Sequence, residues 1–275
     1  MSEDTRQDHI SRKRVVYAAA GMDGVTVRRD ETYRAADGAA LAMDLYYPPD
    51  SIGGAARPAV VFVTGFTDAG AERMLGCRFK EMGSFVSWAQ LTAASGLVAV
   101  TYENRHPAPD AQAVLHYVRE HAARLGIDGR RIGVWSCSGH APTALAALIQ
   151  GGDQAVTCAV LYYPYTLDRP GEVGVADAAS RMHFVNACAG ASVDDLPDVP
   201  LFIARAGQDR MPGLTTALDR FVASALARNL PITVVNHAAG PHAFDLFDDG
   251  AVSREIVRQT LTFLQCRTHL RYIEP

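Results

Sequence analysis

The sequence lacks features that mark several broad classes of protein. No basic run is longer than the one in SRKR at 11–14, and the formal net charge is −4, so a nucleic-acid partner is not expected. The start of the chain has no apolar segment of the kind that secretory signals contain. No stretch approaches the roughly 18 uninterrupted apolar residues of a membrane span. We therefore expect a protein that neither binds nucleic acid nor spans a membrane.

Cysteine is also scarce. The five residues are scattered, odd in number and without a Cys-x-x-Cys pair: Cys77, Cys137, Cys158, Cys188 and Cys266. This pattern argues against a disulfide framework and against a zinc site. It is typical of a reducing compartment, so the expected location is the cytoplasm.

What the chain does contain is enough apolar material for a large core. Of its 275 residues 48% are hydrophobic and 20% are charged, which suits one large α/β domain over 1–275 better than two small ones. Residues 1–20 precede the regular pattern. We expect them to form an arm that packs either on the domain or on a second subunit, so a homo-oligomer stays open.

The pattern along the chain predicts an α/β fold. Segments 25–34 and 39–47 alternate in part around the turn AADG, which predicts an antiparallel hairpin. Short apolar runs then alternate with helical patterns. Strands are predicted at 59–65, 97–103, 131–136, 157–163, 200–207 and 231–237, and helices near 80–95, 108–125, 140–150, 212–229 and 252–266. This alternation predicts a mostly parallel central sheet with helices on both faces and a site at the carboxyl ends of its strands.

The stretch VWSCSGHAP at 134–142 joins a predicted strand directly to a predicted helix. Such a turn is the setting of a nucleophile elbow, in which the residues two before and two after the nucleophile must be small. If Cys137 were the nucleophile, the residue two positions earlier would be a tryptophan, and if Ser136 were, it would be a valine. For Ser138 that residue is a small serine. Ser138 is therefore the preferred nucleophile, although His140 stands where a small residue is usual. At this point an ordinary turn with a serine N-cap remains the alternative.

A serine hydroxyl needs a base, and the base needs a group that orients it. In a fold of this type the chain order is serine, acid, histidine. Asp209 follows one predicted strand and His242 follows the last one, each at the end where sites are expected. Asp245 and Asp248 are rival acids, but they lie too close to the histidine in sequence for the usual arrangement.

Five stretches together resemble the α/β-hydrolase superfamily, on its esterase and dienelactone-hydrolase-like side. They cover most of the chain from about residue 25: DLYYP at 44–48, PAVVFVTGF at 58–66, GIDGRRIGVWSCSGH at 126–140, PLFIARAGQDRMP at 200–212 and GPHAFD at 240–245. The resemblance implies that Ser138 is the nucleophile, Asp209 the acid and His242 the base. It also implies that the N–H groups of Phe66 and Gly139 form an oxyanion hole. The chain departs from the family pattern where some esterases carry three glycines, because it has Thr-Gly-Phe there.

Several neighbouring residues are expected to surround this site. Cys137 should point away beneath the elbow. Residues 103–106 follow a predicted strand end, where a charged network that braces the site is expected. The segment 164–196 is too long for a plain crossover and predicts a small lid that brings Met182, His183 and Phe184 near an acyl pocket. A helix stripe facing the core is the alternative reading of that segment.

Taken together, these residues predict a serine hydrolase that cleaves a small or medium carboxylic ester through an acyl-enzyme on Ser138. No metal or organic cofactor is implied, and the expected partner is a small-molecule ester. Candidate pocket residues are Gly65, His140, His183 and Phe184. The alternatives are an acyltransferase or a peptidase on the same three residues, or a non-catalytic binding protein with a decayed site.

Overall fold

The computed structural model describes residues 9–49, 51, 55–151, 156–168 and 171–269. Its strands are β1 (Thr26–Arg34), β2 (Ala40–Tyr47), β3 (Arg57–Phe62), β4 (Val98–Tyr102), β5 (Ile127–Cys137), β6 (Cys158–Tyr162), β7 (Leu201–Ala206) and β8 (Ile232–His237). They form one sheet in the order β1-β2-β4-β3-β5-β6-β7-β8. The hairpin β1–β2 and the pair β2–β4 are antiparallel, and every other pair is parallel. The predicted mostly parallel sheet with an N-terminal antiparallel hairpin is therefore confirmed.

Helices cover both faces of the sheet. They are α1 (Asp68–Leu75), α2 (Gly83–Ala94), α3 (Pro107–Glu120), α4 (Ala141–Gln150), α5 (Gly174–Met182), α6 (Leu214–Ala227), α7 (Phe244–Phe247) and α8 (Ala251–His269). Val114, Leu145 and Phe221 belong to the core on one face, whereas Trp88 and Leu264 belong to the core on the other. Because both faces are covered, central strands such as β4 and β6 are buried at every position. This burial explains their uninterrupted apolar sequences.

Two features differ from the sequence-based expectation. Strand β5 begins at Ile127, four positions before the predicted start at 131, because IDGR carries too few apolar residues to read as a strand. Helix α1 was not predicted at all, since it is short and follows the strand β3 after only a brief loop. Its signal was nevertheless present, because the Thr67 hydroxyl caps it by accepting the Gly70 N–H at 3.1 Å.

The described part of the N-terminal arm packs on helix α2. The Val15 N–H donates to Ser87 Oγ at 3.0 Å, and the Val16 N–H donates to the Asp245 carbonyl at 2.8 Å. Gly83, at the start of α2, allows this approach, because a Cβ there would lie 2.7 Å from the Arg12 carbonyl oxygen. Residues 1–8 of the predicted arm lie outside the described residues. In the part of the chain that the structure describes, no helix has both the length and the apolarity that crossing a membrane requires.

Candidate active site

A tight turn between β5 and α4 presents Ser138. Its φ of 48° is in the left-handed region that residues with a side chain rarely adopt, a strain typical of functional turns. The turn is held by the Ser138 carbonyl, which accepts the Tyr165 N–H at 3.1 Å. Ser136 is fully buried and its hydroxyl donates to the Val63 carbonyl at 3.1 Å. Of the two serines, therefore, only Ser138 is presented at the turn.

Cys137 borders the same cavity as Ser138, contrary to the expectation that it points away beneath the elbow. Burial raises the pKa of its thiol well above the ordinary range, and the nearby Asp245 carboxyl adds to the shift. The thiolate is the nucleophilic form of cysteine. A thiol held protonated in this way is a poor competitor for the neighbouring serine.

Ser138, His242 and Asp209 form a continuous hydrogen-bonded line. Ser138 Oγ lies 3.0 Å from His242 Nε2, and His242 Nδ1 lies 2.6 Å from Asp209 Oδ2. The Asp209 side chain has no exposed surface, whereas the His242 side chain is 26% exposed. The other carboxylate oxygen of Asp209 accepts the Met211 N–H at 2.8 Å. The structure thus brings the three predicted residues together with the geometry of a nucleophile, a base and an orienting acid.

The loops that carry Asp209 and His242 are tied to each other. The Gly207 N–H donates to the His237 carbonyl at 2.8 Å, and the Gln208 N–H donates to the Gly240 carbonyl at 2.9 Å. The backbones approach so closely that a Cβ on Gly207 would lie 2.4 Å from the Ala238 carbonyl oxygen. This contact sets the distance between the acid and the histidine.

Neither rival acid is hydrogen-bonded to His242. Asp245 accepts the indole N–H of Trp88 at 2.8 Å and the hydroxyl of Tyr163 at 2.7 Å. Burial raises the pKa of this carboxyl above its ordinary value. Asp248 pairs with His237 Nε2 at 2.7 Å instead.

The loop after β3 brings Phe66, one of the two predicted oxyanion donors, beside the serine turn, which carries the other, Gly139. The Gly65 N–H donates to His140 Nδ1 at 2.9 Å, and the Gly65 carbonyl accepts the Val185 N–H at 2.8 Å. Within the described part of the chain, the N–H groups of Phe66 and Gly139 donate to no other group. Gly65 must be a glycine here, because a Cβ would lie 2.6 Å from the Gly139 carbonyl oxygen.

A polar brace stands behind this loop, but of residues 103–106, where a charged network was expected, it is the uncharged Asn104 that contacts the loop. Asn104 Nδ2 donates to Thr64 Oγ1 at 2.9 Å and to the Phe66 carbonyl at 3.0 Å. Asp68, which the sequence analysis did not single out, accepts the Asn104 N–H at 2.8 Å and the Phe79 N–H at 3.2 Å. Burial raises the pKa of Asp68 to about 6. Loop, strand β4 and helix α1 are therefore held as one unit.

A cavity of about 320 Å³, here called the site cavity, opens beside Ser138 and His242. Its wall is mostly apolar and includes six aromatic residues, Phe66, Phe79, Phe85, Trp88, Trp135 and Tyr163. Ile10 of the arm and Met182 at the end of α5 also border it.

Of the four pocket residues that the sequence predicted, one borders the site cavity and three do not. His140 borders the site cavity, but Gly65, His183 and Phe184 do not. His183 lies in a neighbouring pocket with Arg73. Phe184 is buried against Tyr165 and Phe66, with ring centroids 5.0 and 5.9 Å away. The segment 164–196 thus reaches the cavity through Met182, while Phe184 serves as packing.

His140 is the polar member of an aromatic cluster. Its ring centroid lies 4.7 Å from that of Phe79 and 4.8 Å from that of Phe66, and only 6% of the residue is exposed. Burial lowers the pKa of His140 to about 3. The imidazole is therefore neutral at any pH at which the protein is expected to work.

This burial predicts a specific loss of stability in acid. Because the pKa is about 3 in the folded chain and about 6.5 when exposed, the contribution of neutral His140 is complete above pH 6.5 and is lost as the pH falls toward 3. Between pH 7 and pH 5, the free energy of unfolding of the wild type should fall by about 2 kcal/mol more than that of His140→Gln. Urea unfolding at pH 7 and at pH 5 measures the free energy of unfolding of both proteins. His116→Gln, at an exposed histidine, should leave the fall unchanged, and equal falls in wild type and His140→Gln would contradict the assignment.

Within the described residues no group of three or more His, Cys, Asp or Glu side chains is arranged to hold a metal ion.

Comparison with known proteins identifies the fold. No protein-family model matches the sequence, and a search of curated protein sequences also found no match. Among solved structures, a thermostable esterase from Pseudomonas putida ECU1011 is similar at 18% identity and a TM-score of 0.67, over 92% of this chain and 86% of that one. A bacterial heroin esterase is similar at 17% identity and a TM-score of 0.67, over 92% and 87%. The esterase Est22, solved with p-nitrophenol, is similar at 15% identity and a TM-score of 0.68, over 95% and 86%. These likenesses, with the sheet order, show that the chain has the α/β-hydrolase fold.

Proposed function

We propose that this chain, which has the α/β-hydrolase fold, is a serine-dependent hydrolase of carboxylic esters. The observation that carries the proposal is the line from Ser138 through His242 to Asp209, which runs beside two unengaged N–H groups and opens on an apolar cavity. A nucleophile, a base, an orienting acid and an oxyanion site are the parts that acyl transfer requires. The similar solved structures are esterases by their printed names.

In this proposal Ser138 Oγ attacks the ester carbonyl while His242 Nε2 accepts its proton. The negative charge that develops on the carbonyl oxygen is held by the N–H groups of Phe66 and Gly139, each typically worth about 3–4 kcal/mol of barrier. His242 then returns the proton to the departing alkoxide, so that an alcohol leaves and an acyl-serine forms. Water, deprotonated by the same histidine, hydrolyses the acyl-serine to the free acid and restores Ser138. Asp209 keeps the proton of the imidazole on Nδ1 and stabilises the imidazolium.

The site cavity supports an uncharged ester of small to medium size. Its volume of about 320 Å³ is at the small end of ligand pockets. Among the described residues no lysine or arginine lines it, so nothing there would pair with a carboxylate on the substrate. The five cysteines are all unpaired, which is typical of a reducing compartment and supports a cytoplasmic location as part of the same proposal.

Labelling with a fluorophosphonate probe followed by peptide mapping tests the proposal. Such a probe reacts preferentially with an activated serine, so the adduct is expected on Ser138 in the wild type and on no peptide of Ser138→Ala. His242→Ala should lose the adduct as well, because the hydroxyl then has no base. Ser136→Ala is the matched control and should be labelled like the wild type.

Two results would contradict the proposed function. An adduct on Ser136 or Cys137 would show that this residue, and not Ser138, is the nucleophile. A folded wild type that neither reacts with the probe nor hydrolyses p-nitrophenyl acetate would favour a binding protein with a decayed site. An acyltransferase would react with the probe but would release free acid slowly unless an acceptor alcohol were supplied.

A further inference from the structure

Several polar side chains in the wall of the site cavity have no part in the proposed chemistry, and His140 and Ser84 are two of them. His140 and Ser84 are 6% and 7% exposed, and both border the cavity. Within the described part of the chain, neither His140 Nε2 nor Ser84 Oγ has a hydrogen-bond partner. Neither atom is among the fully buried polar atoms that lack a partner, so both face the cavity, where a ligand that fills it can pair with them.

The contact on the other ring nitrogen determines what His140 offers. Nδ1 accepts the Gly65 N–H at 2.9 Å and therefore carries the lone pair. The ring is surrounded by phenyl groups that disfavour a charge. A neutral imidazole with a lone pair on Nδ1 carries its proton on Nε2. His140 thus presents a hydrogen-bond donor in a wall that is mostly apolar.

The position of this donor limits where its partner lies in the substrate. His140 is two residues after Ser138, so the two Cα atoms are at most about 7 Å apart. Both side chains also border the site cavity of about 320 Å³, so an acceptor that reaches His140 Nε2 belongs to the part of the substrate that shares this cavity with the reacting carbonyl group. This acceptor is also uncharged, since no lysine or arginine among the described residues borders the cavity and the Asp245 carboxyl does.

We propose that the substrate is an ester with an aromatic or bulky apolar body and an uncharged acceptor oxygen close to the ester group, and that His140 Nε2–H selects this oxygen. The proposal rests on the hydrolase function proposed above and specifies its substrate class. His140 would have two separate tasks: Nδ1 positions the loop that carries Phe66, and Nε2 determines specificity. This gives a physical reason for a histidine at a position where the family pattern has a small residue.

Two pairs of nearly isosteric esters test the proposal, because in each pair an ether oxygen replaces a methylene. For the acyl side these are p-nitrophenyl phenoxyacetate and p-nitrophenyl 3-phenylpropanoate. For the alcohol side they are 2-phenoxyethyl acetate and 3-phenylpropyl acetate. Each kcat/KM is divided by the rate constant for hydroxide hydrolysis of the same ester, which removes the intrinsic reactivity. After that correction the wild type should prefer the ether member of one pair by about tenfold or more.

His140→Asn separates the two tasks. Its Oδ1 can still accept the Gly65 N–H, but its shorter side chain places no donor at the position of Nε2, so the preference should fall to within about twofold of unity. His140→Gln places an amide N–H near the position of Nε2 and should retain part of the preference. His140→Phe, which removes both nitrogens, replaces His140→Asn if that variant does not fold.

The possible outcomes separate this inference from the proposed function. If p-nitrophenyl acetate is hydrolysed but neither pair shows a preference for the ether, the inference is wrong and the hydrolase proposal stands. A preference that persists unchanged in His140→Asn or His140→Phe also overturns it. If the folded wild type hydrolyses no ester at all, both proposals fail.

Discussion

Ser138→Ala is expected to lower kcat for p-nitrophenyl acetate by about 10⁵–10⁶-fold, the range found when the nucleophile of a serine hydrolase is removed. The reason is that Ser138 Oγ is the hydroxyl within hydrogen-bond distance of His242 Nε2, at 3.0 Å. Alanine leaves the base and the oxyanion donors in place but removes the atom that forms the acyl-enzyme. Steady-state release of p-nitrophenol measures the effect, and circular dichroism establishes that the variant is folded.

Ser136→Ala is the matched control for that experiment. Ser136 lies two residues earlier, near the end of β5, is fully buried and donates only to the Val63 carbonyl. Its loss should cost about 1 kcal/mol of stability, the typical value of one buried hydrogen bond, and leave kcat within a few-fold of the wild type. If the two variants lost similar amounts of activity, or if Ser138→Ala retained more than about one part in 10³ of kcat, Ser138 would not be the nucleophile.

Asp209→Asn is expected to lower kcat by about 10⁴-fold with little change in structure. The amide oxygen can still accept the Met211 N–H, a contact that Asp209 Oδ1 makes at 2.8 Å. The amide nitrogen then faces His242 Nδ1 and donates to it, which moves the imidazole proton to Nε2. In that tautomer Nε2 has no lone pair to accept the proton of Ser138, so the base is disabled while its position is kept. The pH dependence of the residual kcat should change along with its size.

Asp248→Asn is the control for the acid. Asp248 makes the equivalent contact with a different histidine, since its Oδ2 lies 2.7 Å from His237 Nε2. This pair also includes Ser253 and lies outside the site cavity. We expect the variant to lose stability but to keep kcat within a few-fold of the wild type. Comparable activity losses in Asp209→Asn and Asp248→Asn would contradict the assigned acid.

The two carboxylates show why the acid could be chosen before the structure was known. In a parallel sheet the carboxyl ends of the strands meet at one edge, so a residue just after β7 and a residue just after β8 must lie close together. Asp209 and His242 occupy such positions. Asp245 follows the histidine by only three residues and turns into α7, where Trp88 and Tyr163 bind it. Chain order and strand periodicity, both visible in the sequence, were enough for this choice.

The same reasoning from periodicity and chain order predicted the sheet and the turn that carries Ser138, but not the short elements between the strands. Apolar runs flanked by helical patterns predicted six strands of the sheet, because burial on both faces forces those residues to be apolar. Helix α1 and the early start of β5 were not predicted, because a two-turn helix and the sequence IDGR show too little hydrophobic periodicity. Asp68 was missed for the same reason, as its role depends on where α1 places it.

What the sequence determined by itself is therefore the fold class, the succession of strands and helices along the chain, and the three residues that meet at the strand ends, because each follows from local periodicity and from chain order. Only the tertiary structure determined the contacts that hold the oxyanion loop and the residues that line the cavity. The Val185 N–H that holds the Gly65 carbonyl, the cavity walls and the neutral His140 all depend on contacts between segments far apart in sequence. Such contacts leave no periodic trace in the sequence, since any residue of suitable size and polarity could make them. The physical distinction is between burial, which is repeated along every strand, and a single long-range contact, which occurs once.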